Sequence, residues 1–236
     1  MGIGGAILLF IPDHEYHHFF YLKTQIGAGY EQQPVILNSN DASTASMAAY
    51  PFIYAGLKIG LFNNKGISVH VNPFYTHSVN GIISAINISQ YSYGGNLTLL
   101  LGKSCYSKFK FFVEGGYTQR KLVSFTDAKI KANTSGEYAF IRYGGGIMFS
   151  LPSKNYLKES YIKPGIFFEQ PSPTVSSQSK LVANLQILIK SFITIDCSYS
   201  SNYFSTGVIN YPNNFTQNSN NFFSIKLVKA GNIFGK

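Results

Sequence analysis

Ala49-Tyr50-Pro51-Phe52-Ile53-Tyr54-Ala55-Gly56-Leu57-Lys58-Ile59-Gly60-Leu61-Phe62 runs into Asn63-Asn64-Lys65-Gly66 and then into Ile67-Ser68-Val69-His70-Val71-Asn72-Pro73-Phe74-Tyr75-Thr76. In the first run the odd-numbered residues are aliphatic or small, and the even-numbered ones mix aromatic rings, glycine and Lys58. The return run has Ile67, Val69, Val71, Pro73 and Tyr75 on one face and Ser68, His70, Asn72, Phe74 and Thr76 on the other. Successive side chains of a strand point to opposite faces, so strict period two marks β-structure. The linking tetrapeptide has the composition of a tight turn. The stretch reads as a β-hairpin with one apolar and one largely polar face.

The same rhythm extends outward from this hairpin. Leu97, Leu99 and Leu101 alternate with Asn96 and Thr98, and Phe109, Phe111 and Val113 with Lys108, Lys110 and Glu114. Ile141, Ile147 and Phe149 alternate with Arg142 and two glycines. Ile162, Pro164, Ile166 and Phe168 alternate with Tyr161, Lys163, Phe167 and Glu169. Further strands are expected around 181–189 and 193–199, with weaker ones near 18–30 and 222–228. The count is about ten. An even number of antiparallel strands with both ends at one rim is the pattern of an up-and-down transmembrane barrel. Connections are expected to be long near 31–48, 121–136, 170–179 and 203–220, with a shorter member near 79–86. They are expected to be short at 63–65, 103–106, 152–157 and 190–191. That asymmetry predicts extracellular long loops and periplasmic termini. The division expected is an apolar leader-like or N-terminal segment at 1–14, the barrel at 15–230 and a periplasmic tail at 231–236.

Alternation does not say which face is outside, because a soluble barrel buries its apolar face. Three features point to the inverted arrangement. Tyr30, Tyr75, Tyr91, Tyr93, Tyr117, Tyr199 and Tyr203 gather on the apolar face towards the long-loop rim, and Phe109 and Phe149 towards the other. Amphipathic rings at headgroup level form such girdles. The polar face carries Lys23, Lys58, Glu114, Arg120, Arg142, Lys163, Glu169, Asp196 and Lys226, with Glu114 expected to pair with Arg142 and Lys163. Glycines (Gly94, Gly116, Gly144, Gly146) recur on that face, where a narrow lumen is crowded.

Composition agrees. Only 12% of the 236 residues are charged, against about 25% in typical soluble domains. Aromatics reach 16%, with 17 Tyr, 20 Phe and no Trp. The net charge of +9 comes from Lys and Arg scattered through β-like segments, not from the clustered patch that nucleic acid requires. No apolar run is long enough for a transmembrane helix. Residues 3–11 resemble a signal-peptide core without a basic n-region or cleavage site. They read either as the remnant of a leader or as an apolar mouth to the first strand. Cys105 in a turn and Cys197 in a distant strand are expected to stay unbridged.

The run Gly56-Leu57-Lys58-Ile59-Gly60, the turn after it and the Pro73-containing return strand resemble the second hairpin of the small outer-membrane β-barrel domain of Bacteroidetes. The match covers about a tenth of the chain. The resemblance implies a Gram-negative outer-membrane location. It also implies a role among barrels that include accessory subunits of secretion and assembly machines. Many barrels end on an aromatic residue, whereas this chain reads Phe234-Gly235-Lys236.

Tyr75-Thr76-His77-Ser78-Val79-Asn80-Gly81 resembles the His-x-Ser-Asn-Gly stretch of outer-membrane phospholipase A and of lipid A deacylases. A nucleophile needs its base within about 3 Å, but neighbours in a strand face opposite ways. Omptin-type proteases share the strand number, yet Asp41, Asp127 and Asp196 stand singly, without an Asp-His couple. His14-Glu15-Tyr16-His17-His18 lacks the ligand set of a closed zinc site. The expectation is therefore a non-catalytic integral outer-membrane barrel without cofactor. Its role is structural or in interaction, including that of an accessory envelope subunit. Its partners are lipopolysaccharide and phospholipid and other envelope proteins, not nucleic acid. The alternatives are a narrow, porin-like channel and an outer-leaflet lipid hydrolase.

Overall fold

Alternation becomes a wall when each strand pairs with its chain neighbours, and that is the architecture of the computed structural model. It describes residues 18–39, 42–63, 66–79, 86–103, 107–127, 136–151, 160–172, 180–190, 192–207 and 216–234. Ten strands follow in order: β1 His18–Ser39, β2 Ala42–Asn63, β3 Ile67–Ser78, β4 Ile86–Gly102, β5 Phe109–Asp127, β6 Gly136–Leu151, β7 Ser160–Ser172, β8 Lys180–Ile189, β9 Ile193–Gly207 and β10 Thr216–Phe234. Each pairs antiparallel with the next, and β1 pairs with β10, so the sheet closes into a barrel. Closure removes the edges that an open sheet would expose.

The two faces separate cleanly. Along β7, Tyr161, Lys163, Gly165, Phe167 and Glu169 are buried while Ile162, Pro164, Ile166 and Phe168 are exposed. The outer face is apolar all round: Ile26 is 70% exposed, Phe111 66%, Val113 59% and Leu227 55%. The buried side mixes charge with rings, and Lys110 is 5% exposed beside Phe112 at 2%. A cluster of Leu100, Phe112, Phe140, Met148, Tyr161, Phe167, Val182, Leu188 and Phe222 packs inside. Phe112 of β5 reaches past β6 to β7, where a methyl carbon at Gly165 would sit 2.7 Å from its Cζ. Glycine at that position makes room for the ring.

Tight turns follow local chemistry. Gly66 has φ of 87°, a conformation open to glycine at no steric cost. Phe192 N donates to Ile189 O at 3.0 Å to close the β8–β9 turn.

The strands outrun the sequence expectation at the far rim. The segment 31–48 is not a loop: β1 and β2 stay in register out to Ser39↔Ala42. Likewise β5 reaches Asp127, β9 reaches Gly207 and β10 starts at Thr216. Residues 231–234 belong to β10 rather than to a tail. The reason is common to all of these. Ladder hydrogen bonds join backbone groups, so a hairpin continues through Asn, Ser and Gln once its register is set. Cys197 is free, and Cys105 lies outside the described residues, as does segment 1–14.

Candidate functional site

Among the described residues many functional groups converge in the interior, so the site is built from the lumen. Every second residue of each strand turns inward, and tilted closure stacks them. The lining surrounds about 270 Å3 of free space and includes all nine charged residues named from the sequence: Lys23, Lys58, Glu114, Arg120, Arg142, Lys163, Glu169, Asp196 and Lys226. It adds Glu31, Lys110 and His70. Lys110 and His70 were legible as members of the polar face. Glu31 was not, because it stands where Tyr30-Glu31-Gln32-Gln33-Pro34 loses its apolar alternation.

Charge burial costs several kcal/mol unless compensated, and the lumen compensates with pairs. Lys163 Nζ lies 2.8 Å from Glu114 Oε2, and Thr98 Oγ1 donates to the same oxygen at 2.9 Å. The second expected partner of Glu114 goes elsewhere: Arg142 Nη1 is 3.3 Å from Glu169 Oε1. Register explains the correction, for Arg142 stands directly opposite Glu169 in the β6–β7 ladder, while Glu114 faces Gly144. Lys226 sits 3.3 Å from Asp196, which also accepts from Asn184 Nδ2 at 2.7 Å.

The fourth pair crosses the lumen. Arg120 of β5 donates through Nη1 to Glu31 Oε1 of β1 at 2.8 Å and through Nη2 to Oε2 at 3.4 Å. Tyr50 Oη donates to Glu31 Oε1 at 2.6 Å, and Gln90 Nε2 donates to Tyr50 Oη at 3.0 Å. Four strands are thus tied by one bidentate fork and two relays. Rings sit beneath other cations. The Arg142 guanidinium is 3.8 Å from the Phe167 ring centre, Lys163 Nζ is 4.1 Å from Phe112, and Lys58 Nζ reaches 5.8 Å to Tyr161 on the opposite wall. Cations over ring faces are attracted by the ring quadrupole. Asn72 Oδ1 and Arg142 Nε are buried without a hydrogen-bond partner.

On the outside, Tyr75, Tyr93, Tyr117 and Tyr199 are exposed, and Tyr30 and Tyr91 half-buried. Tyr75 stacks on Tyr91 with ring centres 6.2 Å apart. Tyr203 lies in β9, with its side chain outside the described residues. Phe109 and Phe149 meet edge-on at 5.3 Å near the short-turn rim.

The lipase-like pair is split by the wall. Ser78 is buried and lines the lumen, where its Oγ accepts from Gln90 N at 2.8 Å. His77 stacks parallel to Tyr75 on the outer face, with ring centres 6.5 Å apart. Among the described residues no group of three His, Cys, Asp or Glu side chains could hold a metal. His14, Glu15, His17 and Asp41 lie outside them. No protein-family model matches this chain, and no curated protein sequence matches it.

Proposed function

We propose that this chain is an integral outer-membrane protein of a Gram-negative bacterium, with a lumen closed by its own side chains and a structural or interaction role. What supports the reading is the inversion of the barrel: exposed aliphatic and aromatic side chains ring the outside, while the ion pairs lie inside. In water that outer face would be an apolar patch far larger than monomers tolerate. In lipid it is the expected apolar band. Lipopolysaccharide and phospholipid are then its first partners. A closed lumen is supported by the side chains that meet across it, Arg120 with Glu31 and Lys58 with Tyr161. Small barrels of this kind are filled by their own side chains, and open aqueous channels appear at about sixteen strands. The separation of His77 from Ser78 favours a non-catalytic role over a lipid hydrolase.

Contact with other envelope proteins, including service as an accessory subunit, would use the β1–β2 hairpin. Its backbone ladder runs on past Gln32↔Phe223, where β10 stops pairing with β1, and past the parallel β1–β9 pairing at Val35 and Ile36, out to Ser39↔Ala42. At about 3.3 Å per residue the three pairs beyond Ile36 project on the order of 10 Å.

The test is topology in cells. Ser43→Cys at the hairpin is expected to react with an impermeant maleimide on intact cells. Lys65→Cys in the β2–β3 turn is expected to react only after the outer membrane is opened. Recovery of the protein in the soluble fraction would overturn the membrane reading, and the reverse labelling would invert its orientation. The 270 Å3 cavity favours one rival, a narrow channel. A steady single-channel current in planar bilayers would establish that rival.

A further inference from the structure

The two rims of the barrel differ in charge. The connections at the short-turn rim, which follow β2, β4, β6 and β8, hold Lys65, Lys103, Lys108, Lys154, Lys158 and Lys190 against Glu159. Those at the far rim hold Lys129 and Lys131 against Asp41. The β8–β9 turn shows how the basic rim presents its charge. Lys190 has φ of 49°, a conformation that Asn or Gly takes more easily in a two-residue turn. Its side chain is exposed, and so is Phe192, at 57%. Phe192 O accepts from Ala230 N at 2.7 Å, which ties the turn to β10. Ala230 is buried, so Lys229 beside it turns outward and is exposed. Lys229 stands opposite Ile193 of β9 and Ile26 of β1, both exposed. It is a charge set into the apolar wall. A lysine facing lipid is costly at the midplane and tolerated near the headgroups, where its stem stays in the apolar layer and its ammonium reaches the phosphates. The described carboxylates lie elsewhere: Glu31, Glu114, Glu169 and Asp196 hold lumen cations, and Asp127 and Glu137 belong to the far ends of β5 and β6.

We propose that Lys190, Phe192 and Lys229 bind the headgroup of an anionic phospholipid at the short-turn rim. The two ammonium groups take the phosphate, and the Phe192 ring packs on the acyl carbons next to it. Lysines at a membrane surface attract anionic lipid, and rings at the interface anchor in the layer beneath. Charge complementarity selects the occupant, because a zwitterionic headgroup brings a cation of its own and gains less. Lysine at position 190 adds charge where asparagine would serve the turn better. The site rests on the membrane reading proposed above and names the lipid that the reading leaves open.

The chain has no tryptophan, so Phe192→Trp supplies a lone fluorescent reporter inside the site. The full chain carrying it is folded into phosphatidylcholine vesicles that contain brominated phosphatidylglycerol or, at equal mole fraction, brominated phosphatidylcholine. Quenching gives the relative association of each lipid. Phosphatidylglycerol is expected to associate about fivefold more strongly, the weight of one lysine at a membrane surface. Lys190→Asn with Lys229→Gln should remove the preference while the thermal unfolding midpoint holds, since Asn suits the turn and Lys229 lies outside the packed interior. A separate reporter, Tyr143→Trp on the outer wall of β6, should be quenched equally by both lipids. Quenching of the Phe192→Trp reporter by neither lipid would put the wall outside the bilayer, and the membrane reading would fall with the site. Equal quenching by both, or a preference that survives the double variant, would overturn the site alone. A preference that appears only with Glu159→Gln would assign the lysines to the chain's own carboxylate and overturn it as well.

Discussion

Val113 and Glu114 are neighbours on β5 and obey opposite rules. Val113 is 59% exposed on a face of Leu, Ile, Phe and Tyr, and Glu114 is 9% exposed within hydrogen-bond reach of Lys163 and Thr98. A soluble barrel would reverse both. The contrast teaches that the wall carries an apolar face outside and a charged, paired face inside, which is the arrangement the proposed membrane setting requires. Stability therefore rests on two unlike requirements: no charge outside, and no lone charge inside.

The largest effect is expected where a lone charge is left inside. Glu114→Ala strands the Lys163 ammonium 8% exposed beside Phe112, and removing one partner of a buried pair costs about 3–5 kcal/mol. Thermal unfolding in detergent should show the lowered midpoint. Glu114→Gln combined with Lys163→Met should recover most of it, and failure to recover would mean that Glu114 contributes through something other than this pair.

Breaking the outer rule comes next. Val113→Arg should cost about 2–4 kcal/mol for folding into vesicles if this position faces the bilayer centre. A neutral outcome in vesicles would place β5 in water and undo the contrast.

Packing inside supplies a third, smaller effect. Gly165→Ala pushes a methyl group against Phe112 and Phe167, and overpacking of this kind costs about 1–3 kcal/mol. Pairing it with Phe112→Leu should relieve part of the loss, measured in the same unfolding assay. Smallest of all, Lys103→Ala in an exposed turn should shift stability by less than about 0.5 kcal/mol. Any larger change would show that charge at the rim matters as much as charge in the lumen.

Much of this contrast was legible before any coordinates. Period two is a local property, so Lys58, Lys163, Glu169 and Arg142 could be assigned to one face from their immediate neighbours. The same logic parted His77 from Ser78. Legibility ended where the signal ceased to be local. Glu31 follows Tyr30 into a polar run that reads as a loop, and its strand character appears only when β2 is laid beside it. The long β1–β2 hairpin was missed for the same reason, since side-chain composition predicts turns while backbone pairing extends ladders.

The sequence by itself determined that this chain makes about ten two-faced strands, and that charge and glycine share one face while aliphatic side chains fill the other. It did so because strand geometry couples each residue only to its neighbours one and two positions away. The tertiary structure alone decided which charge meets which. Arg142 takes Glu169 because register sets them opposite, leaving Glu114 to Lys163. Arg120 finds Glu31 across 89 residues of chain because β1 closes against β10 and brings the wall around to face β5. Register and closure are properties of the whole ring, and no window of sequence short enough to show alternation contains them.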